Sequence, residues 1–189
     1  MAATEHSQKI KQDSQEFLIT ALLQLLKTKD FNDITITQVV KRAGVSRMAF
    51  YRNFETLDDI LIAYIEPKIN IGFENIINRV PQNQKLTALG NLFEEISDIL
   101  KMAVNKHYEA IIQNIFDKNM TEFYDQTMDW SQFTAIQRKY WVKFMSAGVY
   151  AIWREWLISG QTENINDIHV LLADFQISTL TALRNETTN

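Results

Sequence analysis

Apolar residues recur three and four positions apart along this chain and no stretch alternates strictly, a spacing that predicts helices and no sheet. From about Gln8 to Thr28, Phe17, Leu18, Ala21, Leu22, Leu25 and Leu26 fall in pairs four apart and predict an amphipathic helix. Its apolar face, Phe17 included, is expected to join Phe31, Ile34 and Ile36 in covering the segment that follows. That segment, Thr35 to Leu61, predicts two short helices and the start of a third. Thr35 is a good N-cap residue, and Gln38 at the third helical position completes a capping box. Val39, Val40 and Ala43 keep the helical spacing, and Gly44 is the residue type that ends a helix in the left-handed conformation. Ser46 caps the next helix, where Phe50 and Phe54 point inward and leave Arg47, Met48, Tyr51, Arg52 and Asn53 outward. Thr56 with Asp59 repeats the cap signal. Two helices on so tight a turn have the layout of a helix-turn-helix.

Behind this head, Ile60, Leu61, Tyr64 and Ile65 extend the third helix to Pro67, where a kink or interruption is expected. The pattern resumes to Val80, and VPQNQ is the first clear break. Further helices are predicted over Leu86–Val104, Tyr108–Phe116, Met120–Met128, Thr134–Ser159 and Asp167–Arg184. The expectation is an all-α chain of about nine helices. It divides into a three-helix head over residues 1–55 and a helical domain over 56–189, parted within the linking helix.

The outward residues of the second short helix supply donors for phosphate oxygens and base edges, and Arg or Asn bonds a base bidentately. The residues alone leave two readings open, a DNA-reading face and a compact way to pack three helices. The run ITITQVVKRAGVSRMAFYRNFETLDDIL decides further, because it resembles the N-terminal signature of the TetR family of bacterial transcriptional regulators. The matching features are Thr35, Ala43-Gly44-Val45-Ser46 at the turn, Phe50-Tyr51, Phe54, and Leu61 after Asp58-Asp59. The resemblance covers about a quarter of the chain. It implies a DNA-facing set of Thr35, Thr37, Gln38, Ser46, Arg47, Met48, Tyr51, Arg52, Asn53 and Thr56. It also implies a near-palindromic double-stranded operator, a small-molecule effector bound among the middle helices, and a homodimer. Two positions depart from it: Ala49 stands where the family often has Thr, and Leu57 where it often has Lys. Both family residues contact phosphate, so fewer charges hold the backbone here, and a helical adaptor with weak or no DNA affinity stays as the alternative.

Charge agrees with the direction of the head. Residues 1–55 hold eight Lys/Arg against six Asp/Glu, whereas 56–189 hold eleven against seventeen. A net charge of −4 does not suit a protein that coats nucleic acid without specificity, but it is compatible with a small specific footprint. Lys9 and Lys11 precede the first apolar face and suit either phosphate contact or a solvated leader. No run of eighteen apolar residues occurs and the opening has no apolar signal-peptide core, so the expected place is the cytoplasm, away from membranes.

Catalysis finds little support. There is no cysteine, and His6, His107 and His169 are isolated from one another and from carboxylates at ligand spacing, so neither a catalytic set, a metal nor a cofactor is expected. GxSxG, Walker A and GxGxxG motifs are absent. The many aromatic residues after Phe93 suit a packed core or, in part, a pocket for an apolar or aromatic ligand. In FMSAGVYAIWREWLISG, small residues allow close helix approach. Ala147, Gly148, Ala151, Trp153 and Trp156, with Phe175 on the last helix, form the expected dimer contact; burial within one subunit is the other reading.

Overall fold

The structure, a computed structural model, describes residues 2–185, with side chains from Gln8 to Arg184. Among the described residues there are nine α-helices and no strand. They are α1 (Ala2–Leu26), α2 (Ile36–Ala43), α3 (Arg47–Asn53), α4 (Leu57–Arg79), α5 (Lys85–Glu95), α6 (Ser97–Asn105), α7 (Glu109–Thr127), α8 (Ala135–Ile158) and α9 (Ile165–Asn185). The fold is all-α, as the spacing implies. No described helix is long and apolar enough to cross a membrane.

The boundaries differ from expectation in four places. Helix α1 begins at Ala2 rather than near Gln8, because its polar first turns rest on helix propensity, which apolar periodicity does not register. The helix predicted over Leu86–Val104 is two, parted at Ile96, where ψ moves to 5°. The two predicted between Tyr108 and Met128 are one, because Asn119 is a buried polar residue inside α7 and not a break. Its Nδ2 donates to Ile115 O at 2.9 Å and to Asn70 Oδ1 at 2.8 Å. Helix α4 continues through Pro67 without interruption.

The chain forms two compact units, and the division falls within α4, between Lys68 and Ile69. The first unit holds the residues up to Lys68 together with Met102–Ile112. Helix α1 packs on α2 and α3, burying Leu18, Leu22, Leu26, Val39, Phe50 and Phe54. Phe17 is not part of that core and is 56% exposed. Neighbouring helical positions lie about 100° apart, and Ser14, Leu18 and Ala21 already occupy the inner face. Met102–Ile112 joins the unit at the α6–α7 turn. Phe31 N–H donates to Lys106 O at 3.0 Å, Lys106 Nζ and His107 Nδ1 each stand 3.6 Å from the Asp30 carboxylate, and Phe31 meets Tyr108 edge-on at 5.9 Å. Burial, with Tyr64 adding to it, pushes the Tyr108 phenol up to about 12.

The second unit holds Ile69–Lys101 and the residues from Gln113 onward. Helix α9 packs on α5 and α8. Much of the aromatic content is core: Phe73, Phe116 and Phe93 meet edge to face at 5.6 and 5.5 Å, and Phe93 stacks on Trp153 at 5.7 Å. Such pairs contribute about 0.5–1.5 kcal/mol each beyond area burial. Lys85 is buried, and its Nζ donates to Ile76 O at 2.8 Å and Ile77 O at 2.6 Å. A cation thereby satisfies carbonyls left open at the α4 C-terminus.

Candidate nucleic-acid interface

The face carried by α3 is set by three consecutive caps. Thr35 Oγ1 accepts from Gln38 N–H at 3.3 Å, while Gln38 Oε1 accepts from Thr35 N–H at 3.0 Å. Gly44 ends α2 at φ 66°, and Val45 N–H closes on Val40 O at 3.2 Å. The Gly44 requirement lies in the backbone alone, since a Cβ there would meet nothing within 4 Å. Ser46 Oγ then accepts from Ala49 N–H at 3.1 Å and starts α3. At the far end, Asp59 Oδ2 accepts from Thr56 N–H at 2.8 Å and Glu55 N–H at 2.9 Å. Burial pushes the Asp59 carboxyl up, but these two backbone donors and the Thr56 hydroxyl outweigh it and hold the group below its usual range.

Between the caps, Ala49 and Phe50 face inward, and Phe54 is buried at the C-cap. Arg47, Met48, Tyr51 and Arg52 are exposed. Neither arginine forms an ion pair among the described residues. Tyr51 stands edge-on to Phe50 at 5.2 Å and 89°, so a buried ring supports an exposed one. Asn53 departs from the expected outward set. It is half-buried, its Nδ2 donates back to Ala49 O at 2.8 Å, and its buried Oδ1 has no partner. One donor of this amide is thereby committed to its own helix, whereas the guanidinium of Arg52 beside it is exposed.

Of the other expected positions, Thr35, Thr37, Ser46 and Thr56 are exposed and Gln38 is half-buried. The capping bonds occupy the side chains of Thr35, Gln38, Ser46 and Thr56, although each hydroxyl hydrogen stays available to a phosphate. Lys41, Lys9 and Lys11 are exposed as well. Arg42, which the sequence reading left out, is exposed in the last turn of α2, with Nη1 on Gln24 Oε1 at 3.2 Å. Its position in a short basic helix end was the signal for it. Leu57 is half-buried.

The expected dimer set divides. Ala147, Ala151 and Phe175 are exposed and Gly148 is half-buried, whereas Trp153 and Trp156 are 1% and 5% exposed. The two tryptophans are therefore core residues of the second unit and offer no area to a second copy. Trp153 is stacked on Phe93, and Trp156 Nε1 donates to Glu163 O at 2.9 Å. The exposed apolar face of α8 instead runs through Ile136, Tyr140, Phe144, Gly148 and Ala151, and α9 adds Val170, Leu171 and Phe175. The spacing of four from Ile136 through Tyr140 and Phe144 to Gly148 is legible in the sequence.

Within the second unit, a polar cleft of about 110 Å³ lies between α4 and α7, lined by Asn70, Glu74, Asn78, Asn119, Glu122 and Gln126 among others. No group of three or more His, Asp or Glu side chains among the described residues can hold a metal ion. The His6 side chain lies outside the described residues.

Residues 18–64, which span α1 from Leu18 through α3 into α4, match the family described as bacterial regulatory proteins, tetR family. The head of the chain, over that quarter of its length, is similar to the DNA-binding head of tetR-family regulators. Over 73 residues it is 37% identical to the HTH-type transcriptional regulator EthR of Mycolicibacterium smegmatis. That alignment covers 36% of this chain and 34% of EthR, so the match spans about a third of the length of this curated relative. A likeness of fold extends further than the sequence match. The solved structure of the dihydroxyacetone kinase operon activator DhaS superposes with a TM-score of 0.52 at 15% identity, over 90% of this chain and 97% of that one. That likeness shows the shared fold.

Proposed function

We propose that this chain is a DNA-binding transcriptional repressor, released from a near-palindromic operator by a small-molecule effector. The observation that carries the reading is the exposed face of α3, where Arg47 and Arg52 form no ion pair among the described residues and flank Tyr51, on a helix capped by Ser46 and closed by Phe54 N–H on Phe50 O. Unpaired guanidinium groups on a rigid short helix suit phosphate and guanine contacts. Specificity from so short a helix asks for two heads set about 34–36 Å apart, in successive major grooves. The exposed apolar face on α8 and α9 is the surface we assign to the second copy. The effector is assigned to the second unit, where the cleft of about 110 Å³ between α4 and α7 suits only a small polar molecule and a wider groove of about 630 Å³ between α7 and α8, lined by Ala135, Tyr140 and Val142 among others, suits an apolar one.

A gel shift with the full chain on DNA from upstream of its own gene tests DNA binding, and a reporter behind that DNA tests the sense of regulation. A shift abolished by excess of the same DNA but not by unrelated DNA, with reporter output lowered by the protein, is expected. Reporter output raised by the protein would make it an activator, the sense that the name of DhaS carries. A second reading, a helical adaptor with weak or no DNA affinity, is favoured by buried Ala49 and half-buried Leu57 in place of two phosphate contacts. No shift at any tested DNA would support that one.

A further inference from the structure

Met48 is the most exposed large apolar side chain among the described residues, at 73%. It lies on α3 with Tyr51 three and Arg52 four positions further on, so all three share the outward face. Arg47, Tyr51 and Arg52 have donors to offer a phosphate or a base edge, but a thioether chain has none to offer a phosphate. Its free energy falls only when apolar surface covers it. Nothing in its own unit does so, because the core side of α3 is filled by Ala49, Phe50 and Phe54.

We propose that Met48 reads the 5-methyl group of a thymine. The inference rests on the reading that α3 enters a major groove. There the base edges present one apolar group, the thymine methyl, among donors and acceptors. An unbranched, polarisable side chain with three rotatable bonds follows such a surface with little strain. The neighbouring positions make the contact selective. Tyr51 is held by Phe50 and Asn53 is tied to Ala49 O, so neither swings across to cover Met48, and the methionine is left to meet the base. The recognition face then reads A·T pairs through Met48 and G·C pairs or phosphates through its arginines.

The test uses the full chain and DNA it selects itself. Random duplex DNA is enriched on the protein, and each thymine of the enriched site is then replaced singly by deoxyuridine, which lacks only the methyl group. At one thymine in each half-site, the replacement is expected to weaken binding by the wild type about fourfold, the worth of one buried methyl-sized group. Met48→Ala should lose that sensitivity while keeping the rest of the scan and its melting temperature, and Met48→Leu should retain it. A scan flat for the wild type, an equal loss in wild type and Met48→Ala, or an enriched site without A·T pairs would overturn the Met48 assignment and leave DNA reading intact. Failure to enrich any sequence would instead overturn the proposed function, and this inference with it.

Discussion

The imidazole of His169 on α9 occupies the space that a side chain on Gly90 of α5 would need: a Cβ built on Gly90 runs into His169 Nε2 and stands 2.5 Å from the Trp153 ring. The histidine also meets Trp153 edge-on at 5.1 Å. Gly90→Ala should therefore destabilise the protein by about 1–3 kcal/mol through overpacking. Adding His169→Ala to Gly90→Ala should cost less than the sum of the two single changes. Urea melts of the four proteins give the coupling directly, and additive effects would show that the two side chains do not compete for the site.

The same histidine gives a pH dependence. Its Nε2 is buried without a partner, and its pKa lies below the ordinary 6.5 because burial disfavours the charge more than the nearby Glu94 carboxylate favours it. As pH falls below about 6.5 the unfolded chain takes up a proton that the folded one refuses, so stability is full above that value and declines on acidification toward the folded pKa. The slope from this group is at most about 1.4 kcal/mol per pH unit. Urea midpoints at pH 7.5 and 5.5 should move further apart for the wild type than for His169→Gln.

On the recognition face, Arg52→Ala should weaken binding to the enriched site by about 1–3 kcal/mol if the arginine reads a base. Arg47→Ala, if that residue holds phosphate, should weaken binding to all sequences alike and reduce the salt slope by about one. Fluorescence anisotropy across a salt series separates the two. Melting temperatures should stay at the wild-type value, because both residues are exposed and form no ion pair among the described residues.

For the dimer, Gly148→Arg is a clean probe. A Cβ at Gly148 meets nothing within 4 Å in its own chain, so the subunit can fold around the substitution while a bulky charge disrupts any helix packed there. Light scattering should find a dimer for the wild type and a folded monomer for the variant, with operator affinity largely lost. A Gly148→Arg dimer would place the contact elsewhere.

Much of the head was legible because its signals are local. Thr35 with Gln38, Gly44 and Ser46 form bonds within four or five residues, so cap chemistry alone marks where α2 and α3 begin and end. What escaped depends on distant partners. The gap left between Phe116 and Met120 is helix, and the polar Asn119 within it is satisfied by Asn70, 49 residues away in sequence. Trp153 and Trp156 look like interface anchors until Phe93 and Glu163 fill their surroundings. Met48 was placed outward by periodicity, but only its exposure sets it apart from its neighbours.

The turn between α6 and α7 bears on how such a protein can be cut and recombined. Because Lys106, His107 and Tyr108 answer Asp30 and Phe31 within one compact unit, the head is not a contiguous module. A fragment ending at Lys68 would lose the carbonyl that receives Phe31 N–H and the ring that covers Phe31. A chimera joined within α4 would put a foreign turn opposite Asp30. Swaps that carry residues 102–112 along with the head should keep their solubility and DNA response, and those that leave the segment behind should not.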